Sequence, residues 1–535
     1  MRVDEPPFSV RPLPAAWLWG LAAAAAARLL LQVLAMPPYA GLDEGFHVAR
    51  VSFVAVSGHQ PAASELSVAG YFSRSFNGLP GAVPAFGTLR EKWPEALAAR
   101  PLGWSDVPLD RAAKAAFVAT NYQAQQASLY YALAAPLDRV LGTSQLRELL
   151  VLRLPAVPLG VVTVLATGLF AAGLWGPPGF LAGLFLVATP TWITLVARAG
   201  NDALACAALA VGVLLSSRPG GGWGSRVGEA GAWAIAIATK LYAWPAALLL
   251  PLLWPGGSSR GRRLFVGGAA AVSAALTALD LAARTGTPSG KFELWSGGGA
   301  SLSFETLGRL ARLPWPQYAK VFVGSAIWTS GAHFNFLRGP ALGLFLLPWL
   351  LLGGVALVSL RQIPRRRLAL LAAAAASFAA AELAQSWGAL QQELAAPRSA
   401  GTAGLAGWYV HALDPIWVGV GVGFAVTSSV RRGWRWLPAV ALAGAFAADL
   451  FVTEGALLTD YAGLSSPTAP GPFFRWGGGD PWDALVRLGR YGLWLPSPWL
   501  AVGLRLVQAA AFAAVTAAAR RSPGPSRARA AGMPV

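Results

Sequence analysis

One cysteine, Cys206, occurs in 535 residues. That excludes an intrachain disulfide and any metal cluster built on cysteines. Charge is scarce as well: 12% of the residues are Asp, Glu, Lys or Arg, against about 25% in soluble domains. Lysine is confined to Lys92, Lys114, Lys240, Lys291 and Lys320. No P-loop, dinucleotide fingerprint or clear internal repeat is present, so the usual nucleotide-binding signatures are missing. Hydrophobic residues make up 55% of the chain. This is the composition of a polytopic membrane protein.

Apolar segments fall at about 13–36, 150–172, 178–197, 201–217, 229–239, 241–254, 264–282, 340–360, 368–388, 408–429, 437–456 and 497–519. A helix needs roughly 20 apolar residues to cross the ~30 Å hydrocarbon core. The expected fold is all-α, with about twelve transmembrane helices. The segments on either side of Lys240 are short and read as half-buried helices meeting at that lysine. The first follows Arg2 and Arg11 and lacks a small-x-small cleavage pattern, so it reads as an uncleaved signal anchor.

The net charge of +18 is mostly arginine gathered in short loops. Arg218 and Arg226, Arg260 to Arg263, Arg361 to Arg367, Arg431 to Arg435 and Arg520 onward all fall on one side of a twelve-span chain. The positive-inside rule makes that side cytoplasmic, with both termini there, and replaces the nucleic-acid reading that such basicity would otherwise suggest. The long loops 37–148, 283–339, 389–407 and 457–496, rich in Gly, Pro and Trp, then lie outside. The first is expected to carry juxtamembrane amphipathic helices. Residues 1–519 read as a single transmembrane domain and 520–535 as a basic, disordered cytoplasmic tail.

The densest set of chemical groups follows the first span, in Pro37-Pro38-Tyr39-Ala40-Gly41-Leu42-Asp43-Glu44-Gly45-Phe46-His47. A helix from about Asp43 to Val56 would place Phe46, Ala49, Phe53 and Val56 on one face and Asp43, Glu44, His47 and Arg50 on the other. Such a helix is expected to lie on the outer membrane surface. Asp43 and His47, four residues apart, can face one ligand; helix capping and a solvated face account for the pattern equally well.

Lys240 interrupts an apolar run near the outer face. It suits an anion such as a lipid phosphate, or else snorkels to the interface. Asn201-Asp202 opens a span just after Arg198, as an N-cap or as part of a site. Arg28 with Gln32, and Glu382 with Gln385, lie within spans and can hold helices together. His411, in Gly407-Trp408-Tyr409-Val410-His411, begins the tenth span at its outer end. With His47 and His59 also outside, a metal site is open, but the spacing specifies none.

The order of these features resembles the GT-C superfamily of membrane glycosyltransferases, most closely bacterial members of the protein-mannosyltransferase and aminoarabinose-transferase kind. The similar fragments are Asp43-Glu44-x-x-His47-x-x-Arg50 after Pro-Pro, Leu129-Tyr130-Tyr131, Arg153-Leu154-Pro155, Asn201-Asp202-Ala203-Leu204, Thr239-Lys240 and Gly407-Trp408-Tyr409. They cover most of the first 260 residues and are sparse beyond. Two fragments depart from the pattern: Gln126-Ala127-Ser128 stands where Pro-Pro is usual, and Trp408 where arginine is usual.

The resemblance implies an inverting transferase in the cytoplasmic membrane. It would move a sugar from a polyprenyl-phosphate donor to a glycan, lipid or protein acceptor on the outer side, without nucleic acid. Asp43, and after it Glu44, would be the catalytic carboxylates, and Lys240 the cation on the donor phosphate. His47, Arg50, Asn201, Asp202, Tyr409 and His411 would contact substrate. No cofactor is required, though a divalent cation on Asp43 and Asp202 stays open. The rival readings are a transporter or lipid flippase, which intramembrane Arg28, Glu382 and Asp449 would suit, and an inactive scaffold on the same fold. The sugar, the acceptor and the oligomeric state are not encoded in any recognisable motif.

Overall fold

A computed structural model describes residues 13–36, 44–62, 126–218, 222–253, 260–285, 339–395, 411–456 and 497–521, with 308, 312, 315 and 316. Asp43, Tyr409 and the tail beyond 521 lie outside the described residues, as does most of each outer loop. The described chain is helical and contains no strand. Lipid offers no hydrogen-bond partners, so an apolar segment must satisfy its backbone internally, and the helix does so.

Each of the twelve apolar segments is helical. In chain order the helices are α1 (Ala15–Ala35), α2 (Glu44–Ser57), α3 (Leu129–Leu141), α4 (Gln145–Arg153) and α5 (Ala156–Trp175). Next come α6 (Ala182–Val187), α7 (Pro190–Ala197), α8 (Asp202–Ser216), α9 (Trp223–Thr239), α10 (Trp244–Leu253) and α11 (Arg260–Thr285). The last are α12 (Gly339–Ser359), α13 (Arg365–Ala395), α14 (Asp414–Trp417), α15 (Gly423–Arg431), α16 (Leu437–Ala456) and α17 (Pro498–Arg521). A π-turn over Val418–Val422 joins α14 to α15.

Five helical stretches are long and apolar enough to cross a bilayer alone. They are Ala15–Ala35, Leu146–Trp175, Arg260–Thr285, His411–Arg431 and Pro498–Arg520. A sixth span results if Pro177–Val187 and Pro190–Ala197 count together across their 66° bend. The break falls at Pro190, which has no N–H to donate to the preceding turn and so starts a new helix. The helix over the ninth segment runs on to Ala395, into what the sequence suggested as an outer loop.

α1 packs against α17 and α5, and α8 lies between α5 and α9. Small residues allow the closest approaches: a Cβ on Gly183 would meet Leu21 at 2.7 Å, and one on Gly419 would meet Phe170 at 2.6 Å. Arg28 is fully buried. It donates to Asp449 at 2.9 Å, Thr453 at 2.8 Å and Gln32 at 3.0 Å, and Arg505 joins the same aspartate at 2.8 Å. The Arg28–Gln32 pair thus fastens α1 to α16 and α17.

The helix ends sort into two groups. In one, Arg262 pairs with Glu229 at 2.7 Å and donates to the carbonyls of Leu215 and Arg218, while Arg432 donates to Ser359 and Arg431 to the Trp175 carbonyl. These arginines serve the unpaired carbonyls at the C-terminal ends of α5 and α8. The other group brings together α2, α3, α4, the α7–α8 break and Lys240.

α2 departs from the expectation of a helix resting on the membrane surface. Glu44, His47 and Arg50 are buried, as are Val48, Val51 and Val54. α3 packs along the helix, and only near its end does Val56 stay half exposed. It is α3 that turns an apolar face outward, through Leu133, Leu137, Val140 and Leu141, while Tyr131, Ala134, Ala135 and Asp138 face inward. A face of that kind suits acyl chains.

Candidate functional site

Arg153, at the end of α4, organises the region. Its Nε and Nη2 each donate to a different oxygen of Glu44 at 2.6 Å, and both side chains are fully buried. Its Nη1 donates to the Met36 carbonyl at 2.6 Å, at the C-terminal end of α1. Glu44 also accepts from the Ala199 N–H at 2.8 Å. One ion pair therefore ties together the end of α1, the start of α2, the end of α4 and the break between α7 and α8. Glu44, the second carboxylate suggested by the resemblance, has both its oxygens held by a buried guanidinium in a forked pair.

The break that Glu44 grips leads into the most polar part of the interior. After Ala197 the chain turns extended at Arg198, and α8 begins at Asp202. Asp202 accepts from Arg198 at 2.6 Å through one oxygen and meets Lys240 Nζ at 3.0 Å through the other. All three side chains are nearly buried. Lys240 reaches inward because α9 stops at Thr239: Lys240 is extended, and a short 3₁₀ turn over Leu241–Ala243 precedes α10. Pro245, at the second position of α10, explains the restart there. The lysine is paired inside the protein and does not snorkel.

Asn201 does not cap α8 with its side chain. Its amide donates across to the Thr239 carbonyl at 3.2 Å, linking the two breaks, and its Oδ1 is buried without a partner.

His47 lies against this triad. His47 Nδ1 and the Tyr131 hydroxyl are hydrogen-bonded at 2.6 Å, with the two rings within 12° of parallel. A Cβ on Gly200 would sit 3.4 Å from the His47 ring and 3.3 Å from Arg198 Nε, so glycine is what lets the break pack this closely. Burial, with Arg198 and Lys240 nearby, holds His47 well below the usual histidine range despite the Asp202 carboxylate. The imidazole is neutral at neutral pH. Burial likewise pushes the phenols of Tyr130 and Tyr131 up, so both remain hydroxyl donors.

Arg50 stacks over Tyr131 at 3.7 Å and donates to Gln60 at 2.7 Å and to the Gln126 carbonyl at 3.0 Å. Arg284 reaches the same carbonyl at 3.1 Å, and Ser128 donates to Asp280 at 2.6 Å. Arg50 thus holds the Gln126–Ser128 segment to α2, while Arg284 and Asp280 hold it to α11.

His411 is buried, and its Nδ1 contacts Asp414. Among the described residues no three His, Cys, Asp or Glu side chains gather as metal ligands. Asp202 already meets two cations, Arg198 and Lys240, and Asp43, the other carboxylate suggested for a divalent cation, lies outside the described residues. Arg198, Tyr131 and Asp414 were not singled out as site residues from the sequence. The Arg198–Asp202 spacing of four is an ordinary helical pair, but here it spans a helix break, which spacing cannot reveal.

No protein-family model matches the chain, and neither does any curated protein. Two solved structures are similar: ArnT from Cupriavidus metallidurans bound to undecaprenyl phosphate, and the same protein in the apo state. The identities are 16% and 15%, with 94% of this chain and 77% of that chain covered and a TM-score of 0.41 in both cases.

Proposed function

We propose that this protein is a membrane glycosyltransferase that takes a sugar from a polyprenyl-phosphate carrier and passes it, with inversion, to an extracytoplasmic acceptor. The observation that carries the proposal is convergence. Glu44 and His47, Tyr131, Arg153, Asn201 and Asp202, and Thr239 and Lys240 belong to the scattered fragments of the GT-C resemblance. They meet in one buried region laced by hydrogen bonds and ion pairs. A buried cluster of ionisable groups at helix breaks is where a membrane enzyme is expected to work.

In this cluster Arg198 and Lys240 meet on one carboxylate. A donor phosphate would take its place beside Lys240. In the transfer, the acceptor hydroxyl attacks the anomeric carbon while the bond to the phosphate oxygen breaks. The electron pair leaves with the phosphate, next to Lys240. Asp43, one residue before Glu44, is the carboxylate we assign to the acceptor, as its base or to orient it. The rival transporter reading loses support, because Arg28 and Asp449 are locked in ion pairs between helices.

Purified protein incubated with a panel of polyprenyl-phosphate sugars should release sugar from at least one of them. Asp43→Asn should fold and insert normally, since Asn caps helices about as well as Asp, while transfer falls by roughly two orders of magnitude or more. Parental transfer by that variant removes Asp43 from the site, and no release from any donor leaves an inactive scaffold.

We further place the cluster on the extracytoplasmic face of the cytoplasmic membrane. With Cys206 replaced, Thr143→Cys should react with an impermeant thiol reagent in intact cells, and Gln362→Cys only after lysis. Reaction of both in intact cells overturns that orientation.

A further inference from the structure

The proposed chemistry leaves Asp414 and the second nitrogen of His411 unused. His411 Nδ1 contacts the Asp414 carboxylate, while Nε2 is buried and has no hydrogen-bond partner. A carboxylate on Nδ1 fixes the tautomer with its proton there, leaving the Nε2 lone pair available. An orphaned acceptor in a protein interior calls for a ligand or a catalytic use.

The pair stands at the wall of the cluster already described. Cys206, one helical turn after Asp202 on α8, directs its thiol to the His411 carbonyl at 3.8 Å. The Tyr242 ring lies 5.7 Å from Lys240 Nζ, and its buried hydroxyl has no hydrogen-bond partner. Cys206 and Tyr242 each lie within electrostatic reach of both Asp202 and Asp414, so the dyad borders the Asp202–Lys240 pair. The titratable groups near it are Asp202 and Cys206 from α8, and Lys240 and Tyr242 from the break after α9. α13, which packs on α14, carries Glu382.

We propose that His411, oriented by Asp414, is the proton acceptor of the transfer, a role that rests on the glycosyltransferase reading. As the acceptor oxygen bonds to the anomeric carbon and the phosphate departs with its electron pair, the hydroxyl proton passes to His411 Nε2. Release of that proton to solvent resets the imidazole. Asp43 then orients the hydroxyl, and Asp414 is a positioning residue that keeps the tautomer.

The test is a pH–rate profile of the full chain in lipid nanodiscs, with whichever polyprenyl-phosphate sugar it turns over. His411→Gln should bind donor within about twofold of the parent and lose roughly a hundredfold or more in kcat. The acidic limb of the profile should vanish. Asp414→Asn should lower kcat with KM unchanged, and imidazole should restore part of the rate to His411→Gly. A purely structural histidine would leave the limb in place and show no rescue. If His411→Gln does not fold, the imidazole response of His411→Gly and the profile of Asp414→Asn decide. Parental kcat and an intact acidic limb in the His411 variants overturn the dyad alone. Absence of turnover by the parent overturns the transferase reading and the dyad's role with it.

Discussion

Lys240→Met is expected to weaken donor binding by roughly 10- to 150-fold while leaving the protein folded. The binding estimate follows from the ~1.5–3 kcal/mol typical of hydrogen bonds to charged groups. The fold should survive because Lys240 is one of two cations on Asp202: without it, Arg198 and Asp202 remain as a neutral pair at 2.6 Å. Lys240→Arg keeps charge but changes shape, so partial binding is expected. Asp202→Asn should behave in the opposite way, stranding two buried cations and costing stability on the order of 3–5 kcal/mol. Titration with a polyprenyl-phosphate sugar, alongside thermal unfolding, separates the two effects. Donor affinity unchanged in Lys240→Met would reduce the lysine to a partner of Asp202 and nothing more.

Glu44→Gln should be a folding defect. The carboxylate holds Arg153 through two 2.6 Å bonds with neither group exposed, and it also accepts the Ala199 N–H. Removing its charge leaves a guanidinium buried without its counter-ion, for a loss of about 3–5 kcal/mol. The expected result is little folded protein, or a clearly lowered melting temperature. Combining it with Arg153→Met should recover part of the loss, because no buried charge is then left unpaired. The contrast with Asp43→Asn is the useful one. Adjacent carboxylates are expected to fail differently, one as an inactive but stable protein and the other as an unstable one. A Glu44→Gln protein as stable as the parent, yet inactive, would return Glu44 to the chemistry.

Much of this protein is legible in the order of its residues. Apolar runs of sufficient length, with so little charge between them, leave the backbone only the helix, and all twelve runs are helical. Arginines of the loops between these runs serve helix ends nearby: Arg262 bonds the Arg218 carbonyl, Arg431 the Trp175 carbonyl and Arg432 the Ser359 hydroxyl. The lysine stranded between two short apolar segments does lie at a helix break, because Pro245, five residues on, restarts the chain there.

Tertiary structure decided what the polar groups face. The pattern of α2 gives it a polar stripe, but periodicity records only which residues share a side. Whether that side meets water or another helix depends on α3, folded against it from more than seventy residues away. Glu44 found Arg153 across 109 positions and Ala199 across 155. Such pairings depend on how helices are brought side by side, so no local spacing carries them. For the same reason Asp202 read equally well as a cap or a ligand. Only the two helix breaks, brought together by packing, place Arg198 and Lys240 on its carboxylate and make it the centre of a buried cationic site.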